Sequence, residues 1–126
     1  MLPARYRLRS SVDFASVYRG ARGAGGSRSS SHFIVVHANV TDARAGQPPR
    51  IGFVVSKAVG NAVVRNRTKR ILRALMSARV RQLPDGVDVV IQAKTELSGI
   101  PTRTLVQDLD RVLSTVLRPV IKRKGH

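Results

Sequence analysis

The sequence predicts an α+β fold in which helices pack on one β-sheet. Two observations carry this prediction. The apolar patterns follow the order α-β-β-α-β-α, and elements that mix in this way share a single core. The chain has 126 residues, 42% of them hydrophobic, which suits one domain spanning residues 1–126. A domain of this length buries about two thirds of the surface that its unfolded chain exposes, so it needs no disulfide.

The first predicted helix covers residues 11–19. Ser10 stands three residues before Asp13, which is the spacing of a capping box, and Gly20 supplies a stop. The apolar residues of this segment fall at i, i+3 and i+4, on one face of the helix. They are Phe14, Val17 and Tyr18.

A loop and three strands come next in the prediction. Residues 19–31 read RGARGAGGSRSSS and have almost nothing to bury, which predicts a flexible basic loop. Three runs rich in β-branched residues predict strands at 32–38, 50–56 and 87–93. Because the spacer between the first two runs is short, they are expected to form a β-hairpin.

The last predicted helix begins near Pro101, which suits a first helical turn. A wide apolar stripe of leucine and valine runs along it. The helix is expected to end near Arg118, because Pro119 follows. Residues 119–126 then form a basic tail, which is expected to be disordered in the free protein.

The charge of the chain points to a polyanionic partner. Lysine and arginine number 23 against 7 acidic residues, which gives a net charge of +16, and 18 of the 23 cations are arginine. Cysteine is absent, which excludes disulfides, thiolate metal sites and cysteine nucleophiles. The sequence has neither a membrane-spanning apolar run nor a signal peptide, so a cytoplasmic location is expected. Composition alone leaves DNA, RNA and an anionic membrane open.

A helix with two distinct faces is predicted over about residues 61–80. Gly60 and Asn61 form a cap signal, and no breaker follows before Pro84. At about 100° per residue, the apolar side chains fall on one side and the polar ones on the other. The polar side carries Arg65, Asn66, Arg67, Lys69, Arg70 and Arg73.

This cationic face has two interpretations. Residues 57–84 contain no acid, and cations four residues apart destabilise an isolated helix. A face that contributes nothing to folding is best explained by an anion that it binds, and the amide of Asn66 could hold a base, a 2′-hydroxyl or a phosphate. The alternative is a solvated basic surface.

Residues 56–73, SKAVGNAVVRNRTKRILR, resemble the signature of the bacterial ribonuclease P protein component family. Its central motif corresponds here to Arg65-Asn66-Arg67, followed by Lys69, Arg70 and Arg73 at the spacing of the family. The segments RYRLRSSVDFASVYRG and DVVIQAK resemble the N-terminus and the last strand of that family. The resemblance covers about residues 5–117.

The resemblance implies an α-β sandwich with one mixed sheet of about four strands and three helices. This fold resembles domain 2 of ribosomal protein S5 and contains a left-handed βαβ crossover. Parallel connections are nearly always right-handed, so pattern reasoning alone would not predict that crossover.

The resemblance also implies a function. The family provides the protein subunit of a ribonucleoprotein whose RNA subunit is catalytic. The holoenzyme removes the 5′ leader of precursor tRNA by Mg²⁺-dependent hydrolysis, and the Mg²⁺ is held mainly by the RNA. The expected partners are ribonuclease P RNA and precursor tRNA, with no membrane and no obligate protein partner.

Two groups of site residues follow from the resemblance. Phe14 and Tyr18 match aromatic positions of a cleft that receives the leader, and Val36 stands at a third position where the family has an aromatic residue. Packing of the first helix on the sheet is the alternative role for Phe14 and Tyr18. The expected RNA-binding residues are Lys57, Asn61, Arg65, Asn66, Arg67, Lys69, Arg70 and Arg73.

The residues show no catalytic centre and no metal site. His32 and His37 are five residues apart and therefore face opposite sides of a regular strand, and they are interpreted as edge or solvent residues. Asp108 and Asp110 are two residues apart on a helix and point away from each other. Two other functions stay open at this point: a structural RNA-binding protein of the same fold and a stand-alone metallonuclease.

Overall fold

The computed structural model describes residues 3–21, 23 and 26–124, except for the side chains of residues 42 and 121–124. Within these residues the chain forms three α-helices and four β-strands, joined by short 3-10 turns. In chain order they are α1 (Ser11–Ala21), β1 (Gly26–Ser30), β2 (Ile34–Val40), β3 (Arg50–Val55), α2 (Ala62–Ser77), β4 (Val87–Ala93) and α3 (Thr102–Lys124). None of these helices is both long enough and apolar enough to cross a bilayer.

The four strands form one mixed sheet in the order β1-β2-β4-β3. β2 pairs antiparallel with both β1 and β4, while β3 runs parallel to β4. The predicted α+β fold with one mixed four-stranded sheet and three helices is therefore confirmed. The predicted hairpin of residues 32–38 with 50–56 is wrong, because β4 lies between β2 and β3. The side chains of Val87 to Ile91 are buried on both faces, as those of a central strand must be.

The two faces of the sheet carry different cores. The larger core lies under α2 and α3 and contains Ile34, Val36 and Ala38 of β2. On the other face, α1 covers a smaller cluster built on Val17 and Val90. Side chains alternate along a strand, so β2 contributes its even-numbered residues to the larger core.

The structure corrects the flexible loop predicted over residues 19–31. α1 continues to Ala21, and β1 pairs with β2 from Gly26 opposite Asn39 to Ser30 opposite Val35. Backbone hydrogen bonds build this ladder, and α3 packs against β1, so the strand needs no apolar side chains. Residues 22, 24 and 25 of that loop lie outside the described part of the chain.

The end predicted for the last helix is also wrong. α3 continues through Pro119 to Lys124, so most of the expected basic tail is helical, and residues 125–126 lie outside the described part. Val116 and Val120 are fully buried and extend the apolar stripe past the proline, whose own side chain is exposed. Burial of that stripe compensates for the one helical hydrogen bond that a proline cannot donate.

Candidate nucleic-acid interface

The start of α2 is fixed by its cap. The side chain of Asn61 accepts a hydrogen bond from the backbone N–H of Val64 at 3.0 Å. A Cβ at Gly60 would lie 2.8 Å from Cγ1 of Val64, so the residue before the cap must be small. Lys57 lies one short turn earlier and is exposed. The sequence therefore determines where the cationic helix begins and which way it faces.

α2 has the two faces that its sequence predicts. Thr68, Leu72 and Met76 are buried against the larger core. The cationic face contains exposed and half-buried side chains, and within the described part of the chain no carboxylate forms an ion pair with its cations. The exposed residues are Asn66, Arg67 and Arg70, and the half-buried ones are Arg65, Lys69 and Arg73.

α1 presents two half-buried aromatic rings beside β3. Phe14 and Tyr18 lie one turn apart and pack on the cluster that contains Val17, Val54 and Val90. Burial raises the pKa of the Tyr18 hydroxyl above its ordinary value, so this group is neutral at physiological pH. Both rings thus pack on the sheet and keep part of their surface exposed.

A hollow of about 620 Å³ joins these rings to the basic helix. Phe14, Tyr18 and Val54 line one side of it, and Lys69 of α2 lines another. A second hollow of about 300 Å³ shares Phe14 and Lys69 with it and also reaches Arg73. The aromatic surface and the cationic surface are therefore continuous.

Val36 does not belong to this cleft. Its side chain is fully buried in the larger core, on the face of the sheet opposite α1. The face to which a strand residue points changes with each position along the strand, so the register inferred from Phe33 does not bring Val36 to the face that α1 covers. His37, the next residue, lies edge-on against Tyr18 with 4.7 Å between the ring centroids and 80° between the planes. Sequence reasoning missed this contact because the side of the sheet that α1 covers is not encoded locally.

Four of the acidic side chains described in the structure, those of Asp13, Asp88, Asp108 and Asp110, form ion pairs with arginine. Asp88 accepts from Arg50 at 2.9 and 2.7 Å, and this hydrogen bond raises the pKa of Arg50. Asp108 is nearly buried and accepts from the hydroxyl of Ser31 and from Arg111. Among the described residues, no three histidine, aspartate or glutamate side chains form a cluster that could hold a metal ion.

The fold and this surface define a basic RNA-binding domain in which a cationic helix borders an aromatic cleft. The family model described as Ribonuclease P matches residues 2–117 of the chain. The chain belongs to the ribonuclease P protein component family.

Relatives and solved structures agree with this assignment. A ribonuclease P protein component of Beutenbergia cavernae is 47% identical over 116 residues, which cover 92% of each chain. One from Kocuria rhizophila is 43% identical and covers 94% of this chain and 97% of its own. An RNase P protein structure from Staphylococcus aureus has a TM-score of 0.74 at 25% identity, covering 87% of this chain and 94% of that one. The Thermotoga maritima RNase P protein has a TM-score of 0.72 at 26% identity, covering 89% and 98%.

The family assignment carries the function with it. The chain is a protein subunit of the ribonuclease P ribonucleoprotein, the endoribonuclease that processes the 5′ end of tRNA. Its partners are ribonuclease P RNA and precursor tRNA. This result favours a ribonuclease P subunit over a structural RNA-binding protein of the same fold.

Proposed function

We propose that α2 and α1 bind different RNA ligands. The cationic face of α2 binds ribonuclease P RNA, and the hollow between α1 and the edge of β3 receives the leader of precursor tRNA. The observation that carries this proposal is the continuity of the two surfaces at Lys69. The RNA-binding residues are Lys57, Asn61, Arg65, Asn66, Arg67, Lys69, Arg70 and Arg73.

Phe14 and Tyr18 suit a single-stranded leader of variable sequence. Every base has a π-face, so stacking on an aromatic ring is worth about 1–3 kcal/mol per base with little sequence preference. An enzyme that must accept many leaders benefits from this kind of contact. The nearby cation Lys69 offers a partner for the phosphate backbone of the same strand.

The chemistry is assigned to the RNA subunit. Bound Mg²⁺ would activate the attacking water and stabilise the leaving oxygen of the phosphodiester. The carboxylates of Asp88, Asp108 and Asp110 do not suit such an ion, because each of them is bound to an arginine. In this proposal the protein binds and orients RNA in the cytoplasm, and Mg²⁺ is held mainly by the RNA.

Reconstitution of the holoenzyme tests whether the RNA subunit carries the catalysis and the protein only binds RNA. The protein with ribonuclease P RNA should release the 5′ leader at a low Mg²⁺ concentration at which the RNA alone is slow. The protein freed of all RNA should not cleave precursor tRNA. Mg²⁺-dependent cleavage by the RNA-free protein would instead indicate a stand-alone metallonuclease.

The ratio of affinities for precursor and mature tRNA tests the leader cleft. In the holoenzyme, Phe14→Ala and Tyr18→Ala should each weaken binding of precursor tRNA while leaving mature tRNA nearly unchanged. Phe33→Ala is the matched control, because Phe33 packs against the core on the other face of the sheet. It should change both affinities alike. An unchanged ratio in both α1 variants contradicts the leader cleft.

A further inference from the structure

Gly52 of β3 lies against the far end of the Phe14 ring. A Cβ on Gly52 would stand 2.4 Å from both Cε1 and Cζ of Phe14, and 3.1 Å from Cβ of Leu8. Real Cβ atoms do not approach other carbons as closely as 2.4 Å, because dispersion turns to steep repulsion well above that distance. The ring therefore occupies space that is free only because residue 52 has no side chain.

The position of Gly52 in the sheet holds its backbone in place, so the Phe14 ring is the partner in this contact that can move. Gly52 is buried and stands opposite Val90 in the parallel ladder of β3 with β4. The backbone at residue 52 is therefore held by its neighbours, whereas Cε1 and Cζ are the far end of a half-buried side chain. A larger residue at this position would move the ring and leave the strand in place.

That movement matters for the cleft. Phe14 lines both the hollow of about 620 Å³, which Tyr18 also lines, and the hollow of about 300 Å³ that Gly52 lines. A side chain at residue 52 would displace the ring from this position. The surface on which a base is proposed to stack would then change.

We infer that Gly52 is a positioning residue for the leader of precursor tRNA: its missing side chain sets the depth of the Phe14 ring in the cleft. This inference rests on the proposed leader cleft. Glycine inside a strand is unfavourable in itself and commonly marks a close approach, which here is that of an aromatic ring. Gly52 acts through Phe14 and touches no RNA in this account.

The test measures the ratio of precursor to mature tRNA affinity in the reconstituted holoenzyme. Gly52→Ala should lower this ratio by about 5-fold or more, as the loss of one stacked base would. Gly23→Ala is the matched control, since a Cβ there would meet only the backbone oxygen of Gly20, at the ordinary distance of 3.6 Å. It should leave the ratio unchanged.

A second experiment introduces Gly52→Ala into a Phe14→Leu variant. It separates an effect on the position of the Phe14 ring from general damage to the fold. Phe14→Leu removes the two atoms that would stand 2.4 Å from a Cβ at residue 52 and leaves the 3.1 Å contact with Cβ of Leu8, so Gly52→Ala should fold there even if it does not fold alone. In that background Gly52→Ala should cause no further change in the ratio. A further fall would show that residue 52 acts independently of the ring, and the inference would be wrong.

The outcomes distinguish this inference from the proposal on which it rests. If Phe14→Ala lowers the ratio and Gly52→Ala does not, the leader cleft stands and the positioning role of Gly52 is refuted. If the Phe14→Ala and Tyr18→Ala variants both keep the ratio of the natural protein, the leader cleft itself is wrong, and the role of Gly52 falls with it.

Discussion

Arg79 and Asp110 join the end of α2 to the middle of α3. Nε and Nη2 of Arg79 donate to the two carboxylate oxygens of Asp110 at 2.5 and 3.2 Å, and Nη1 donates to the backbone oxygen of Leu75 at 2.7 Å. The hydrogen bond from Arg79 lowers the pKa of Asp110 below its ordinary value. This pair thus links the residue just beyond the end of α2 to α3.

The pair predicts a pH dependence of stability with a definite sign. Because the pKa of Asp110 is lower in the folded protein, its contribution is present at neutral pH and is lost as the pH falls through the folded pKa. The Asp110 side chain is 55% exposed, so solvent screening limits the contribution to about 0–1 kcal/mol. Chemical denaturation should show Asp110→Asn slightly less stable than the natural protein at pH 7. The difference should vanish in strong acid, and a difference that persists there contradicts the assignment.

At the scale of the element, α2 is expected to bind phosphates and not to serve as a solvated face. Neutral replacement of Arg65 and Arg70 together should weaken binding of ribonuclease P RNA. The slope of log affinity against log salt concentration should fall in magnitude by roughly 0.7–0.9 for each lost contact. Titrations at several salt concentrations measure this slope, and melting curves should remain close to those of the natural protein.

A pair of arginines on another helix provides the control for that experiment. Arg103 and Arg118 are exposed on α3 and lie outside the cationic face of α2. Their double replacement by alanine removes the same charge and should leave the salt slope unchanged. An α2 double variant with the slope of the natural protein would show that its face is only solvated surface.

Asn61 caps α2, and an RNA contact is also proposed for it; one pair of substitutions separates the cap from the proposed contact. Asn61→Ala removes the cap on Val64 and should cost about 1 kcal/mol of stability. Asn61→Asp keeps an accepting oxygen, and its negative charge is favourable at a helix N-terminus, so stability should be retained. The same charge should repel RNA. Denaturation and RNA titration of both variants check this, and an Asp variant that binds RNA as well as the natural protein contradicts a direct contact.

The elements differ in how much of them the sequence could predict. The strand at 87–93 and the two faces of α2 were predictable, because each depends on side-chain periodicity within one segment. β1 was not predicted, because its glycine, serine and arginine residues show no hydrophobic alternation. It forms a strand because it pairs with β2 and packs against α3. The hairpin failed for a related reason: spacer length is local, whereas insertion of β4 between β2 and β3 is a long-range event.

The candidate site shows the same division. The string around Arg65-Asn66-Arg67 and the spacing of Phe14 and Tyr18 could be read directly, since both lie on single helices. Val36 was misassigned because its face depends on strand register. Gly52 gave no signal beyond being a glycine inside a predicted strand.

At the scale of the whole molecule, the net charge is +16, and the ion pairs that the described residues form involve only a few of the 23 cations. The ion pairs that the described residues form involve Arg44, Arg50, Arg79 and Arg111, none of which lies on the cationic face of α2. Mutual repulsion of the remaining cations should therefore weaken the free protein at low salt. RNA relieves that repulsion in the holoenzyme.

This charge balance predicts that small polyvalent anions stabilise the free protein. Sulfate should raise the melting temperature more than chloride at matched ionic strength, because an anion that binds only the folded state shifts the equilibrium toward it. The gain should be smaller in the variant that lacks Arg65 and Arg70. Equal melting temperatures in the two salts would contradict specific anion binding.

The place of β4 in the sheet has a consequence for the order in which a nascent chain can fold. β1 and β2 are neighbours in sequence and can pair as soon as residue 40 has been synthesised. β3 is complete at residue 55, but its partner β4 is not finished until residue 93. Closure of such distant pairs is slow compared with local pairing. During synthesis the β1–β2 pair and β3 therefore become one sheet only when β4 enters between them, and a chain that stops before β4 is expected to lack a stable fold.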